Sequence, residues 1–385
     1  MMGLVRRMTA VLGVVTLCWT TGCAGFWVAV GNSSGGSTST TNDYVYVANA
    51  NSTSTTKTMT LAGFAVGTGT LTAIPGSPYT LPFYPTAVAV NPANTIVFVA
   101  GNSEILAYAI QSDGSLSTLN GGGAVGYAAV ASMDISPDGQ WLIALDQNNI
   151  TMDEFEVNST TGLLTAVLPL TTYPVLTGAT TIARAVKFSP NGDYLFAALG
   201  TAGYVVYTFN TSSGALTTPL TPLSLVSGTS ANALAVSPNS QYLYVAMSGT
   251  GGGLAAYTIS GSNGALTSVS GSPFTAGTQP FSVVVNNAGT GVYLANRGDN
   301  TISEFGTTAN SSSQLPTLGT IASGSAVTAL AVDNSGDYLL AAANGGSADL
   351  TMYSYDSTTV GKLDFSTSAT TGTDPTGPVA IATTH

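Results

Sequence analysis

The chain repeats one short unit, and that repetition constrains its fold more than any other property. The clearest copy is ALAVSPNSQYLYVAM, from Ala233 to Met247. An apolar run (Ala233 to Val236), a break at Pro238 and Asn239, and a β-branched and aromatic run (Tyr242 to Ala246) read as two strands joined by a polar turn. Five more complete copies begin at Ala87, Ser132, Ala185, Ser282 and Ala329. Their first strands end at Val90, Ile135, Phe188, Val236, Val285 and Val332, in steps of 45 to 53 residues. Each copy runs on into a third strand, such as ILAYAI or YVVYTF, and a short fourth, such as SLSTL or GALTSV, with weaker fourth strands near Leu315 and Lys362. A strand-only period near fifty points to a ring of small four-stranded antiparallel sheets.

Two incomplete copies flank the six. Tyr44 to Asn49, YVYVAN, reads as a second strand without a first; Pro378 to Thr384, PVAIATT, reads as a first strand without a second. Left apart, both would present unpaired backbone groups at sheet edges. Pairing the two ends completes a seventh unit. The expectation is therefore an all-β, seven-bladed β-propeller over residues 44–385, its ring closed by pairing the N-terminal strands with the C-terminal strand.

Residues 1–22 read as a secretion leader. Arg6 and Arg7 precede an apolar run from Met8 to Trp19, and Thr20, Thr21 and Gly22 lead to Cys23. The run is shorter than the roughly 20 residues a membrane-spanning helix needs. The Thr-Thr-Gly-Cys tail resembles the lipobox of bacterial lipoproteins, which implies lipidation of Cys23, although Thr20 departs from the usual leucine; ordinary secretory cleavage is the alternative. Cys18 would leave with the leader, so no internal disulfide is expected. Residues 23–43, rich in Gly, Ser and Thr, read as a flexible tether. Membrane attachment would come through the lipid anchor only, placing the protein in the cell envelope as a periplasmic or outer-surface lipoprotein, or secreted free.

Charge narrows the partners. Only 6% of residues are charged and the formal net charge is −11. Loss of Arg6 and Arg7 leaves 5 basic residues against 18 acids, a mature charge of −13. Such a field repels phosphate backbones, so nucleic acid is not an expected partner. The sequence carries no His- or Cys-rich metal spacing, phosphate loop, dinucleotide fingerprint or serine-nucleophile motif, so no metal and no cofactor are expected.

In an up-and-down blade the start of strand one and the end of strand two share a face. The SPDG, SPNG and SPNS turns lie on the other face and suit tight turns. On the first face stand Arg184, just before strand one of the third unit, and Arg297, just after strand two of the fifth. Two arginines in an acidic protein suit an anion such as a carboxylate or phosphate; alternatively each ties down a loop, Arg297 through Asp299. Trp141 reads as packing between blades, and His385, the single histidine, as an exposed terminal side chain.

The YVYVAN-type second strands, the G-A-L-T fourth strands and the segments GSPY (Gly76 to Tyr79) and GSPF (Gly271 to Phe274) resemble the seven-bladed lactonase-like propellers, which include 6-phosphogluconolactonases and YVTN-repeat surface proteins. The resemblance spans about Tyr44 to His385. It implies an Arg-His pair before one first strand, where this chain has Arg184 and Ala185. It implies an N-R-G-H segment, matched by Asn296, Arg297 and Gly298 with Asp299 in place of histidine. An N-E-L segment aligns with Leu199 and Gly200, without the carboxylate. The anion-binding residues Arg184, Arg297 and Asn296 are thus present and the acid–base residues are not. If the protein hydrolyses lactones, Asp146, Asp299 or Glu104 must supply the base, and a carboxylate among arginines is a weakened one.

The expected function is a monomeric, lipid-anchored propeller that binds a small anionic or sugar-like ligand, or an envelope protein, at the channel mouth without catalysis. The alternatives are a divergent lactone hydrolase and an envelope scaffold or adhesive surface protein.

Overall fold

In the computed structural model the described residues are 43–50, 59–148, 151–168, 171–172, 181–217, 225, 227–307, 314–345, 348–372 and 381–385. The leader, Cys23 and the tether up to residue 42 lie outside them, as do Pro378 to Ala380. All described residues fall in the unit Thr41–His385.

The predicted strands form, in the predicted order. Blades one to six take their first strands from Ala87–Val90, Val130–Ile135, Thr181–Phe188, Thr229–Val236, Pro280–Val285 and Val327–Val332. Each pairs antiparallel with its second strand, as Ala87 does with Ala100 and Val90 with Val97. Blade seven is assembled from both ends: Tyr44–Ala50 pairs with Met59–Gly67 on one side and with Ile381–Thr383 on the other. The register sets Val45 opposite Thr383, Tyr46 opposite Ala382 and Val47 opposite Ile381.

The strands alternate little in polarity because both faces of each blade are buried. In blade one, Ala87 and Ala89 join the core shared with blade two, while Val88 and Val90 join the core shared with blade seven. Among the described residues there are seven such cores, one at each interface between successive blades, including six with seven and seven with one. Alanines recur on the first strands, where blades converge on the axis, and tyrosines and phenylalanines fill the interfaces farther out, as a taper requires. Trp141 spans one interface, its indole Nε1 donating to the Thr211 carbonyl at 2.7 Å.

Two repeated devices hold this frame. The buried residue that follows each first strand (Asn91, Ser136, Ser189, Ser237, Asn286 or Asp333) accepts the backbone N–H five positions on, at 2.7–3.0 Å. This fixes the turns that the sequence marks with SPDG, SPNG and SPNS. Gly139 and Gly192 take φ of 73° and 78° there, which favours glycine. The G-S-P segments are likewise structural: Ser77 Oγ accepts from Gly63 N and Ser272 Oγ from Ala256 N, both at 2.9 Å.

First strands of neighbouring blades are linked by side chains. Ser132 Oγ accepts from Val186 N at 3.2 Å, and Ser282, at the same repeat position, accepts from Leu330 N at 3.1 Å. Asn232 donates to the Pro280 carbonyl at 2.8 Å.

The fourth strands differ from expectation. Those near Leu315 and Lys362, the weakest in sequence, form the long strands Thr317–Ala322 and Leu363–Ala369. The clear GALTTP copy at Gly214 contributes only a bridge between Phe209 and Leu216 among the described residues. Outermost strands follow the edge they are offered rather than their own pattern. Asp43, expected to end the tether, is buried in blade seven's entry.

Ser132→Ala and Ser282→Ala should each leave a buried N–H unpaired and cost about 1–2 kcal/mol. Lying in different blades, the two should add in the double mutant. Urea unfolding monitored by tyrosine and tryptophan fluorescence measures both.

Candidate ligand site in the central channel

The first strands enclose a central cavity of about 320 Å3. Its walls are mainly Val, Ala and Leu positions of those strands, and they expose the strands' inner edges to the channel. Polar side chains stand at the two ends. Ser132, Arg184, Asn232 and Ser282 lie where first strands begin; Asp134, Lys187, Asn287 and His385 lie where they finish.

Arg184 reaches the cavity because its strand is irregular. Thr181 pairs with Gly200 and Ala185 with Ala198, so three residues oppose one between those pairs. Such a bulge turns a side chain away from the usual blade-facing direction. Gly200 makes the bulge possible: its φ is 64°, and a Cβ there would stand 3.0 Å from the Ile182 Cβ. Arg184 is half-buried, and its Nε has no hydrogen-bond partner. A guanidinium donor shielded from water and left unpaired is costly unless a ligand completes it.

Lys187, at the other end of the same strand, is paired: its Nζ stands 3.0 Å from Asp134 Oδ1, and Asp134 Oδ2 accepts from Phe188 N at 2.8 Å.

The remaining sequence candidates stand elsewhere. Arg297 is not among the residues lining the cavity; its guanidinium carbon lies 5.0 Å from the Phe281 ring centroid, a cation–π contact. No Arg297–Asp299 ion pair forms among the described residues. Asp299 accepts instead from both the backbone N–H and the hydroxyl of Thr278. The hydroxyl first, and then the N–H, hold its carboxyl below the usual range, so it is ill suited as a base. Gly277 permits this packing, since a Cβ there would meet Asp299 Oδ2 at 2.4 Å.

Asn296, expected beside the ligand, is wholly buried inside blade five. It donates to Ser303 Oγ at 2.8 Å and Thr301 Oγ1 at 3.0 Å, tying the second strand to the third. Asp146 occupies the equivalent position in blade two. It is 2% exposed and accepts from Asn148 N at 2.7 Å, away from the cavity lining. Its neighbour Asp153 has its pKa raised, chiefly by burial and also by the charge of Asp146. Both residues end second strands, where the chain needs polar anchoring before it turns. Of the proposed site residues among the described residues, only Arg184 lines the channel.

His385 corrects the opposite expectation. Although the residue is exposed overall, its imidazole lines the channel's far end, with Nε2 3.1 Å from the Val90 carbonyl oxygen. Asn94 clamps its backbone from both sides at 2.8 Å. Enclosure of the ring, and secondarily Lys187, lower its pKa and favour the neutral form. The signal was available: if residues near 381 form a first strand, the next few must sit at the axis.

The profile of the family "Lactonase, 7-bladed beta-propeller" matches residues 185–381, just over half of the chain. The chain belongs to this family. Among solved structures, a protein of Bacteroides uniformis provisionally named a 6-phosphogluconolactonase is similar, at 17% identity and a TM-score of 0.72. That match covers 89% of this chain and 99% of the other. A Bacteroides fragilis protein with the same provisional name shares 16% identity over 91% and 100% of the two chains, TM-score 0.70. A periplasmic gluconolactonase of Pseudomonas aeruginosa shares 17% over 89% and 99%, TM-score 0.65. At these identities the likeness to solved structures shows the fold alone. No curated protein sequence matches. The lactonase-like propeller therefore has an arginine at one channel mouth here, with Asp146 and Asp299 engaged in loop structure and Glu104 not among the residues lining the cavity.

Arg184→Met should keep the side chain's packing and remove the unpaired donor. Stability should stay level or rise by up to about 1 kcal/mol, whereas loss of a structural arginine would lower it. Thermal unfolding of the two proteins decides the sign.

Proposed function

We propose that the protein is an envelope propeller that holds a small, hydroxyl-rich anion at the Arg184 end of its central channel without turning it over. The observation that carries this reading is that Arg184, whose Nε has no hydrogen-bond partner, lines a cavity of about 320 Å3. A carboxylate or phosphate would complete the guanidinium, and hydroxyls suit the inner strand edges and the Ser132, Asn232 and Ser282 side chains. Lipid anchorage at Cys23 belongs to the same proposal and rests on the sequence of residues 6–23.

Family membership favours a second reading, a lactone hydrolase, as does the fold shared with a periplasmic gluconolactonase. It needs a base to activate water and donors for the oxyanion. Arg184 could hold such a substrate, but Asp146 is buried and Asp299 is held by Thr278. The binding reading therefore has the stronger support.

Calorimetric titration with gluconate and 6-phosphogluconate tests it. Binding should weaken at least tenfold in Arg184→Met and change less than twofold in Arg297→Met, a loss of about 1.4 kcal/mol for the first. Gluconolactone should disappear at the buffer rate. Protein-dependent turnover that Arg184→Met abolishes would replace this reading with the hydrolase, and equal binding by both variants would remove Arg184 from the site.

A further inference from the structure

The segments that lead into blades one and two meet on the face where Arg184 stands, and they carry two uncovered aromatic rings. Tyr84 precedes the Ala87–Val90 strand and Tyr127 the Val130–Ile135 strand. Tyr127 is 75% exposed and Tyr84 41%. No hydrogen bond or ring contact engages either side chain among the described residues. The backbone beneath them is held firmly. The Gly101 carbonyl accepts from Val130 N at 3.0 Å, and a Cβ at Gly101 would stand 2.9 Å from the Tyr84 carbonyl oxygen, so a side chain there would push the two segments apart. Thr86 Oγ1 donates to the Val130 carbonyl at 2.5 Å. A tyrosine ring on such a support offers a large amphipathic contact area at little cost in conformational entropy.

Two amide side chains stand beside the rings. Asn102 follows Gly101, and Gln147 is tied to the Tyr127 segment, its backbone N–H donating to the Ala129 carbonyl at 2.8 Å. Gln147 Nε2 donates to Asn102 Oδ1 at 2.8 Å. That bond leaves Gln147 Oε1 as an acceptor and Asn102 Nδ2 as a donor, neither with another partner among the described residues. Residues 58–183 contain no lysine or arginine, and the charged groups of these two loops are the half-buried Glu104 and the buried Asp146.

We propose that Tyr84, Tyr127, Asn102 and Gln147 form a second ligand site, on the mouth face of blades one and two, for an uncharged 2-acetamido sugar.

A pyranose presents a face of C–H groups that is apolar and weakly positive, and the face of an aromatic ring is negative, so the sugar stacks on a tyrosine. Its acetamido group carries one N–H and one C=O, the complement of Gln147 Oε1 and Asn102 Nδ2. The amide holds these roles on separate atoms, whereas a hydroxyl holds both on one, so an acetamido sugar fits two side chains better than a simple hexose. A sugar acid gains nothing here without a cation, which separates this site from the Arg184 end of the channel. The site rests on its own residues and does not depend on the Arg184 reading.

Saturation-transfer NMR of the full chain, with dissociation constants from calorimetry, tests this with two matched probes. Chitotetraose, four β-1,4-linked N-acetylglucosamine units, should bind with a dissociation constant of about 1 mM or below and show transfer to its acetyl methyls. Cellotetraose has the same linkage and hydroxyls in place of the acetamido groups; it should bind at least about fivefold more weakly. Tyr127→Ala, at an exposed position, should leave the unfolding temperature unchanged and weaken chitotetraose binding at least about tenfold. Asn102→Asp keeps the acceptor for Gln147 and loses the donor, so it should abolish the preference for chitotetraose over cellotetraose. Arg184→Met should change chitotetraose binding by less than about twofold. Absence of chitotetraose binding, equal binding of the two sugars, or undiminished binding by Tyr127→Ala would each overturn the proposal. Displacement of chitotetraose by choline would overturn it in favour of a cation cage, and loss of binding in Arg184→Met would overturn it by moving the sugar into the channel.

Discussion

Three residue pairs, Val45 with Thr383, Tyr46 with Ala382 and Val47 with Ile381, carry the architecture. A blade buries both of its faces, so it is stable only with a neighbour on each side. Six complete repeats in an open row would leave two apolar faces in water and two orphan strands at the ends. The short pairing of Tyr44–Ala50 with Ile381–Thr383 turns the row into a ring. It thereby supplies two of the seven interface cores, those that join blade seven to blades six and one. Burial of each Val, Leu or Phe in those cores contributes about 1.5–3 kcal/mol, so much of the molecule's stability hangs on a few backbone hydrogen bonds.

The same ring generates the channel. First strands converge on the axis and cannot pair with one another, so their inner edges remain open to solvent. Side chains from adjacent blades satisfy part of that edge, as Ser132, Asn232 and Ser282 do. The rest faces a cavity that is polar at its ends. The repeat alone would make this cavity nearly uniform. Arg184 breaks the uniformity, because the bulge opposite Leu199 and Gly200 turns it toward the axis. Blades two, four, five and six carry a one-residue bulge at the same place, and the longer bulge of blade three sets Arg184 apart from its counterparts there.

Much of this was legible in the sequence, and the failures share a cause. Blade number, strand order, turn positions and the joining of the two ends all follow from spacing and alternation, which are local properties repeated many times. Asp146 and Asn296 read in sequence as mouth residues because they stand at the correct end of a strand. Strand position fixes the level of a residue along the axis. It does not say whether the side chain points inward or between strands, and both point into their blades. Arg297 stands at the right level too, but Phe281 draws its guanidinium over an aromatic face. His385 reads in sequence as an exposed terminal side chain, although the end-to-end pairing places it beside the axis.

The sequence by itself determined the ring: seven sheets, their order, and which face carries the arginines. A repeat encodes local geometry redundantly, and one assumption about the ends completes it. Only the tertiary structure decided which polar groups meet. It separated Arg184 from Arg297, pinned Asp299 to Thr278, brought His385 to the channel and fastened Asp43 to the backbone N–H groups of Asn334 and Ser335. These outcomes depend on side-chain direction, on the length of one bulge and on contacts between blades distant in the chain, none of which leaves a periodic trace.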